Sequence, residues 1–208
     1  MLHDVDLYHQ NQLVSLKSHE ENKMSLFKKH DETTAPEGAS QMLAKAKSHY
    51  GFVPNLAAYV AESPAVLGAI LKLSETFEQS SLNTQEQQVV LLTVSALNNC
   101  NYCKTVHTAL GKTAEIDNET INNVIKGRPL GNKKLNALQL FTKLLIEEKG
   151  VLNEKQVKAF VDAGYTNAQV FEVIMGVALK TITNFSNHLA GAEPNAEFLA
   201  MASGKAAA

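Results

Sequence analysis

The amino-acid sequence predicts an all-α fold. Apolar residues recur at helical spacing in one segment after another, with Asn, Gly and Pro punctuating the gaps. No strand-length alternation and no Gly-rich phosphate loop interrupts the series. With 208 residues the chain can build a substantial core, as one domain or two small ones. Its 45% hydrophobic and 19% charged residues are ordinary for a soluble globular protein. A formal charge of −2 argues against nucleic acid or an anionic membrane as the main partner. No apolar run is long enough for a membrane span, and no secretory leader pattern opens the sequence. Two cysteines in a compact pair fit a reducing, cytoplasmic setting better than a disulfide-stapled secreted fold.

Residues 1–35 are polar and read as an N-terminal extension, in which Leu13, Leu16, Met24, Leu26 and Phe27 support a short helix or two. His3, His9, His19 and His30 lack metal-ligand spacing, which makes them solvated surface residues. Pro36 marks a helix start, and residues 39–49 follow as an amphipathic helix. The connector Tyr50-Gly51-Phe52-Val53-Pro54-Asn55 carries turn residues. Helices over 56–61 and 64–77 come next, the second with Ser63 as its cap and Pro64 in its first turn. After Ser80-Ser81-Leu82-Asn83, a helix over 85–97 carries Val89, Leu92, Val94 and Ala96 among its apolar positions. Asn98-Asn99 breaks it, because asparagine satisfies free backbone groups at caps and turns. The next helix starts near Cys100 and runs to about Leu110, with Gly111 as its stop. Further helices are expected over 117–125, ended by Gly127 and Pro129, and over 133–148, stopped at Gly150. Asn153 caps a helix over 154–163 that ends at Gly164, and a long segment spans 167–189. The remaining small, Ala-rich tail is expected to be frayed.

Chemistry concentrates in residues 98–107, which hold the only two cysteines. Cys100, Cys103 and His107 stand at i, i+3 and i+7, one face of a helix, with the imidazole leaning back over Cys103. A thiolate is the reactive form, and a helix start with free N–H groups stabilises it. Lys104 adds a neighbouring cation. The spacing lets two sulfurs close a disulfide, as in other C-x-x-C redox motifs. A buried structural pair is the simplest alternative, but the capped helix start and the histidine on the same face favour redox chemistry. A zinc half-site lacks a fourth ligand, and haem attachment needs His where Lys104 stands, so neither metal nor cofactor is expected.

Two features extend beyond the motif. Glu172-Val173-Ile174-Met175-Gly176 precedes Asn184 and Asn187 by the offsets at which Gln88-Val89-Val90-Leu91-Leu92 precedes Cys100 and Cys103. This weak internal repeat allows a duplicated helical unit whose second copy carries Asn for Cys, followed by His188. Residues 85–92 through Cys100-Asn101-Tyr102-Cys103 and His107 resemble the AhpD-like alkylhydroperoxidases of the carboxymuconolactone decarboxylase family. Gly51-Phe52-Val53-Pro54-Asn55, Ser63-Pro64, Ala163-Gly164-Tyr165 and Asn187-His188-Leu189-Ala190 look like the peroxidase-related branch of that family, in order. The resemblance covers roughly residues 36–190, leaving 191–208 as a tail. It implies an AhpD-like helical fold and a thiol peroxidase without a metal or organic prosthetic group, assembled as a homo-oligomer of trimers or trimers of dimers.

By position, Cys103 matches the cysteine that attacks peroxide, Cys100 the resolving one, and His107 the histidine of the proton relay. Gln88 stands where the family usually has a glutamate, and Tyr102 where some members have histidine. Glutamine cannot exchange a proton as a carboxylate does, so the relay is expected to be weak or rewired, and a carboxylate restored at 88 to raise the rate. Glu86 points about 200° away on the helix and is no substitute. The expected activity is reduction of a hydroperoxide: Cys103 is oxidised to a sulfenic acid, Cys100 condenses with it, and an external dithiol reduces the disulfide. Thioredoxin-type logic would instead make Cys100, nearer the helix start, the nucleophile. A non-catalytic redox sensor or disulfide-exchange protein, and a carboxymuconolactone decarboxylase-type enzyme, are the alternatives.

Overall fold

The computed structural model describes residues 26–204, and these form ten α-helices and no strand. In chain order they are α1 Ala39–Tyr50, α2 Asn55–Val60, α3 Pro64–Glu78, α4 Thr84–Leu97 and α5 Asn101–Thr113. They continue with α6 Asn118–Ile125, α7 Lys133–Glu147, α8 Glu154–Asp162, α9 Asn167–Ala190 and α10 Ala196–Ser203. The expectations for Leu13, Leu16, Met24, His3, His9 and His19 lie outside the described residues. No helix among the described residues is long and apolar enough to cross a membrane.

Local chemistry starts the elements where the sequence signals it. The side chains of Ser63, Asn83, Asp117, Asn132, Asn153 and Thr166 each accept a backbone N–H at the start of the helix that follows. Asn83 and Glu86 form a reciprocal capping box that opens α4. Helix α4 is the axis of the molecule, with α3, α5, α6, α7 and α9 packed around it. Val89, Val90, Leu92 and Val94 are buried on all its sides, as a helix apolar all round requires. Its two buried hydroxyls, Thr93 and Ser95, donate back to the carbonyls of Val89 and Leu91 at 2.6 and 2.7 Å, so neither is left unpaired.

Helix α9 crosses close at Gly176, where a Cβ would lie 2.8 Å from Val90 and 2.9 Å from the Phe77 ring. A stack of Phe141, Phe160 and Tyr165, with ring centroids 4.2 and 4.3 Å apart, closes the far side of α7 and α8.

Three expectations are corrected. Helix α5 does not stop at Gly111 but runs to Thr113, and Glu115 at φ 60° turns the chain while the N–H of Ile116 donates to the Gly111 carbonyl. A Cβ at Gly111 would meet Ile121 of α6 at 3.5 Å, an ordinary contact, so the helix runs through this glycine without needing it. The second correction is the segment before α1, where His30 is not solvated. It is buried, with Nδ1 2.9 Å from the Thr34 carbonyl and Nε2 2.8 Å from Glu62, while its N–H donates to the Ala58 carbonyl. Leu26 and Phe27 belong to the turns of this segment rather than to a helix.

The third correction is the tail. Residues 196–203 form α10, which lies along α5. Asn195 fastens it, accepting the Asn55 N–H at 2.8 Å and donating to the Val53 carbonyl at 3.1 Å. The Asn55 amide in turn donates to the Glu193 carbonyl. Phe198 is 2% exposed and packs edge-on against Phe52 and Tyr50.

Candidate active site

The cysteine pair stands at the hinge between α4 and α5. Asn98 caps α4, and Asn99 takes a left-handed conformation at φ 52°. The N–H groups of Asn99 and Cys100 then donate to the carbonyls of Ala96 and Ser95, a Schellman turn that uses up the free end of α4. Cys100 caps α5 and Cys103 lies in its first turn, beside N–H groups that have no partner within the helix. The two thiols are free and buried in an apolar cluster with Leu43, Leu56, Val60, Leu67 and Tyr102. The Tyr102 hydroxyl accepts the Leu56 N–H at 3.3 Å, tying α5 to α2.

The sequence-predicted residues meet as a chain of contacts. Gln88 Oε1 is 3.0 Å from His107 Nδ1, so the neutral amide of α4 reaches the imidazole of α5. Glu86 faces away as expected and is spent on the capping box and an ion pair with Lys134 at 2.9 Å. The other imidazole nitrogen, Nε2, is 2.8 Å from Nζ of Lys180 on α9.

Sequence reasoning missed Lys180. It is 5% exposed, and its charge also lowers the Cys103 thiol. Lys104, the cation expected there, turns outward and donates to Asn99 at 3.1 Å. A signal existed: Lys180 is the one charged residue within Val173–Leu189 of a helix otherwise rich in apolar side chains.

Asn184, one turn further along α9, completes the set. Its carbonyl accepts from the Asn98 amide at 3.0 Å. Its own Nδ2 is buried without a hydrogen-bond partner, and Asn184 is among the groups that lower the Cys103 thiol. The repeat therefore does not build a second site: α9 runs unbroken where α4 and α5 separate, Asn184 serves the first site, and His188 is exposed.

These contacts separate the two thiols. The Cys100 S–H donates to the Cys103 sulfur, and Lys180 and Asn184 add positive charge and hydrogen bonds, so the Cys103 thiol is pulled down to about 6 against burial. Cys100 is pushed up, first by holding that bond and then by burial. One sulfur is thus the thiolate and the other its proton donor. His107 is held well below the ordinary histidine range by burial and by the Lys180 charge, and is neutral.

Cys103, His107, Gln88 and Lys180 line one cavity of about 170 Å³, walled by Leu67, Ile70, Val106, Leu179 and Phe198. Cys100 lies outside the lining, behind Cys103. A groove between α1 and α3 shares Tyr50, Leu71, Ser74 and Glu78 with the cavity and leads to the surface. Among the described residues no cluster of three or more His, Cys, Asp or Glu is arranged to hold a metal ion.

The model of the carboxymuconolactone decarboxylase family matches residues 64–130, from α3 through α6. Comparison with curated proteins finds no match. Among solved structures, the chain is similar to an uncharacterized peroxidase-related protein with an alkylhydroperoxidase AhpD core from Ralstonia eutropha JMP134. The TM-score is 0.77 at 20% identity, over 85% of this chain and 95% of that one. A peroxidase-related protein from Silicibacter sp. TM1040 aligns with TM-score 0.69 at 19% identity, over 80% of this chain and 89% of that one. The debrominase Bmp8, in complex with 2,3,4-tribromopyrrole, aligns with TM-score 0.67 at 13% identity, over 81% and 91%. At these identities the likeness is one of fold, the AhpD-core helical fold.

Proposed function

We propose that the chain is a thiol-dependent peroxidase, a reading supported by the match of residues 64–130 to the model of the carboxymuconolactone decarboxylase family. The observation that carries this reading is the asymmetry of the cysteine pair. Cys103 lines the cavity and is pulled toward its thiolate form, while Cys100 lies outside the lining with its thiol pushed up. That order favours Cys103 as the nucleophile and Cys100 as the resolving thiol, against the thioredoxin-type order. The thiolate attacks the terminal oxygen of a hydroperoxide, the O–O bond breaks, and Cys103 becomes a sulfenic acid. Cys100 then attacks its sulfur, water leaves, and an external dithiol reduces the resulting disulfide. The apolar walls suit the organic part of an alkyl hydroperoxide.

The assembly belongs to the same proposal. Phe171, Ile174, Phe185 and Leu189 form an exposed apolar stripe along α9, and a second copy of the chain is the partner proposed to cover it.

The experiment is peroxide consumption with a dithiol reductant by wild type, Cys103→Ser and Cys100→Ser. Cys103→Ser should lose the reaction entirely. Cys100→Ser should be oxidised once and stop at a sulfenic acid, whereas wild type loses about two hydrogens per chain by intact mass on mild oxidation. Oxidation of wild type to the disulfide without steady turnover would point instead to a redox sensor.

A further inference from the structure

The sequence assigns the proton work to His107, but both its ring nitrogens are engaged. Gln88 Oε1 only accepts, so Nδ1 carries the ring proton. The ring is neutral, so Nε2 accepts, and Lys180 is the donor to it. The Lys180 charge also acts on the Cys103 thiol, which it helps to lower. A lysine ammonium has three N–H donors; His107 takes one, and Lys180 lines the same cavity as Cys103, where the others can serve a bound substrate. A buried ammonium is unfavourable unless it is paired, which argues against Lys180 being kept for packing alone.

We propose that Lys180 is the general acid of this site, giving its proton to the oxygen that leaves when Cys103 attacks a hydroperoxide, with His107 and Gln88 as the positioning residues that aim it. The inference rests on the peroxidase reading. In the first step the thiolate takes the terminal oxygen, the O–O bond breaks, and the alkoxide takes a proton from the ammonium, leaving alcohol, sulfenic acid and a neutral amine. In the second, that amine takes the Cys100 thiol proton as Cys100 attacks the sulfenic sulfur, then returns it to the departing hydroxide as water. On reduction, an external dithiol supplies two protons: one stays on Cys100 and the other returns to Lys180, restoring the thiolate–ammonium pair. Protons and electrons balance with the peroxide as oxidant and the dithiol as reductant.

This also gives Gln88 a reason. A carboxylate there would compete for the charge of Lys180 through the imidazole, whereas a neutral amide leaves the thiolate as the one anion beside the ammonium. Glu78, the carboxylate among the lining residues, stands where the cavity meets the outer groove and is bonded by the Ser74 hydroxyl.

The test separates proton delivery from charge. Single-turnover oxidation of Cys103 is followed with tert-butyl hydroperoxide and with peracetic acid, each variant at a pH where its thiolate absorbance has reached its plateau. Acetate leaves without needing a proton; tert-butoxide does not. Lys180→Met should slow the alkyl hydroperoxide about 10²–10⁴-fold and the peracid less than about tenfold. Lys180→Arg keeps the charge but cannot give up a proton, so it should show the same selective loss. Equal loss on both oxidants in Lys180→Met, or an undiminished alkyl hydroperoxide rate in Lys180→Arg, would overturn the proposal. A Lys180→Met chain that fails to fold leaves Lys180→Arg to decide. Failure of the wild type to react with either oxidant would bring down the peroxidase reading itself, a result distinct from any variant effect.

Discussion

Gln88 stands where a carboxylate would put a second negative charge near the Cys103 thiolate. The sequence alone suggests that Gln88→Glu restores a relay and raises the rate. The geometry argues for the opposite sign, because the carboxylate would draw on Lys180 through His107 and raise the Cys103 pKa. Gln88→Glu should therefore oxidise more slowly near neutral pH, with the thiolate absorbance appearing at higher pH. Cys100→Ala should shift it the same way, since it removes the leading hydrogen bond to the thiolate, and Cys100→Ser less so. Wild-type oxidation should rise with pH through about 6 and then level, as a thiol lowered from 9.0 requires. The linkage has the matching sign: the contribution of this group to stability is complete above its unfolded value and is lost as pH falls through about 6. A rate independent of pH between 5 and 8, on the order of the window that histidine and shifted thiols cover, would contradict this. Cys100, Cys103, His107 and Gln88 were legible in the sequence because they sit on two consecutive helices in one motif. Lys180 and Asn184 come from α9, and only tertiary packing brings them to the sulfur.

Helices were legible wherever a cap or an apolar stripe announced them, and the misses have a common cause. The segment around His30 and the helix α10 carry weak local patterns, and both are held by distant polar partners. Asn55 and Asn195 are far apart in sequence, so no window of residues around α10 contains the bond that docks it. Phe198 then does two jobs, filling an aromatic cluster with Tyr50 and Phe52 and lining the cavity that also holds Cys103. Phe198→Ala should cost about 3–5 kcal/mol if the site cannot collapse, read by denaturant unfolding, and should expose Cys103 to thiol reagents. The crossing of α9 over α4 yields a contrasting case. Gly176→Ala adds one methyl where Val90 and Phe77 leave no room, and overpacking of this kind costs roughly 1–3 kcal/mol. Because α9 carries Lys180, the variant should also lose peroxide reactivity beyond what its stability explains. A Gly176→Ala protein with unchanged midpoint and rate would mean that the crossing relaxes freely.

At the scale of the whole molecule, α9 is divided between two tasks. Val173, Gly176, Leu179 and Lys180 face inward and are buried, while Phe171, Ile174, Phe185 and Leu189 face outward at 72%, 42%, 53% and 59% exposure. The sequence pattern shows that this helix is apolar on more than one stripe, but only packing tells which stripe the core uses. Val177 and Thr181 join Leu145, Ile146 and Phe185 around a shallow groove of about 370 Å³ beside the outer stripe, so the apolar surface is concave as well as exposed. Contiguous exposed apolar surface of this kind suits the second copy of the chain proposed above, and a twofold or threefold contact through α9 would bury it symmetrically. The chain should therefore give a mass above the monomer by light scattering at micromolar concentration. Phe185→Glu, which puts a charge at the centre of the stripe without touching the core, should shift it toward monomer and leave the unfolding midpoint of the isolated chain nearly unchanged. Lys180 stands on the inner face of the same helix, so loss of the contact should also loosen the thiolate–ammonium pair. Slower peroxide reactivity in the dissociated variant would follow from that coupling, and a monomeric wild type with full reactivity would sink it.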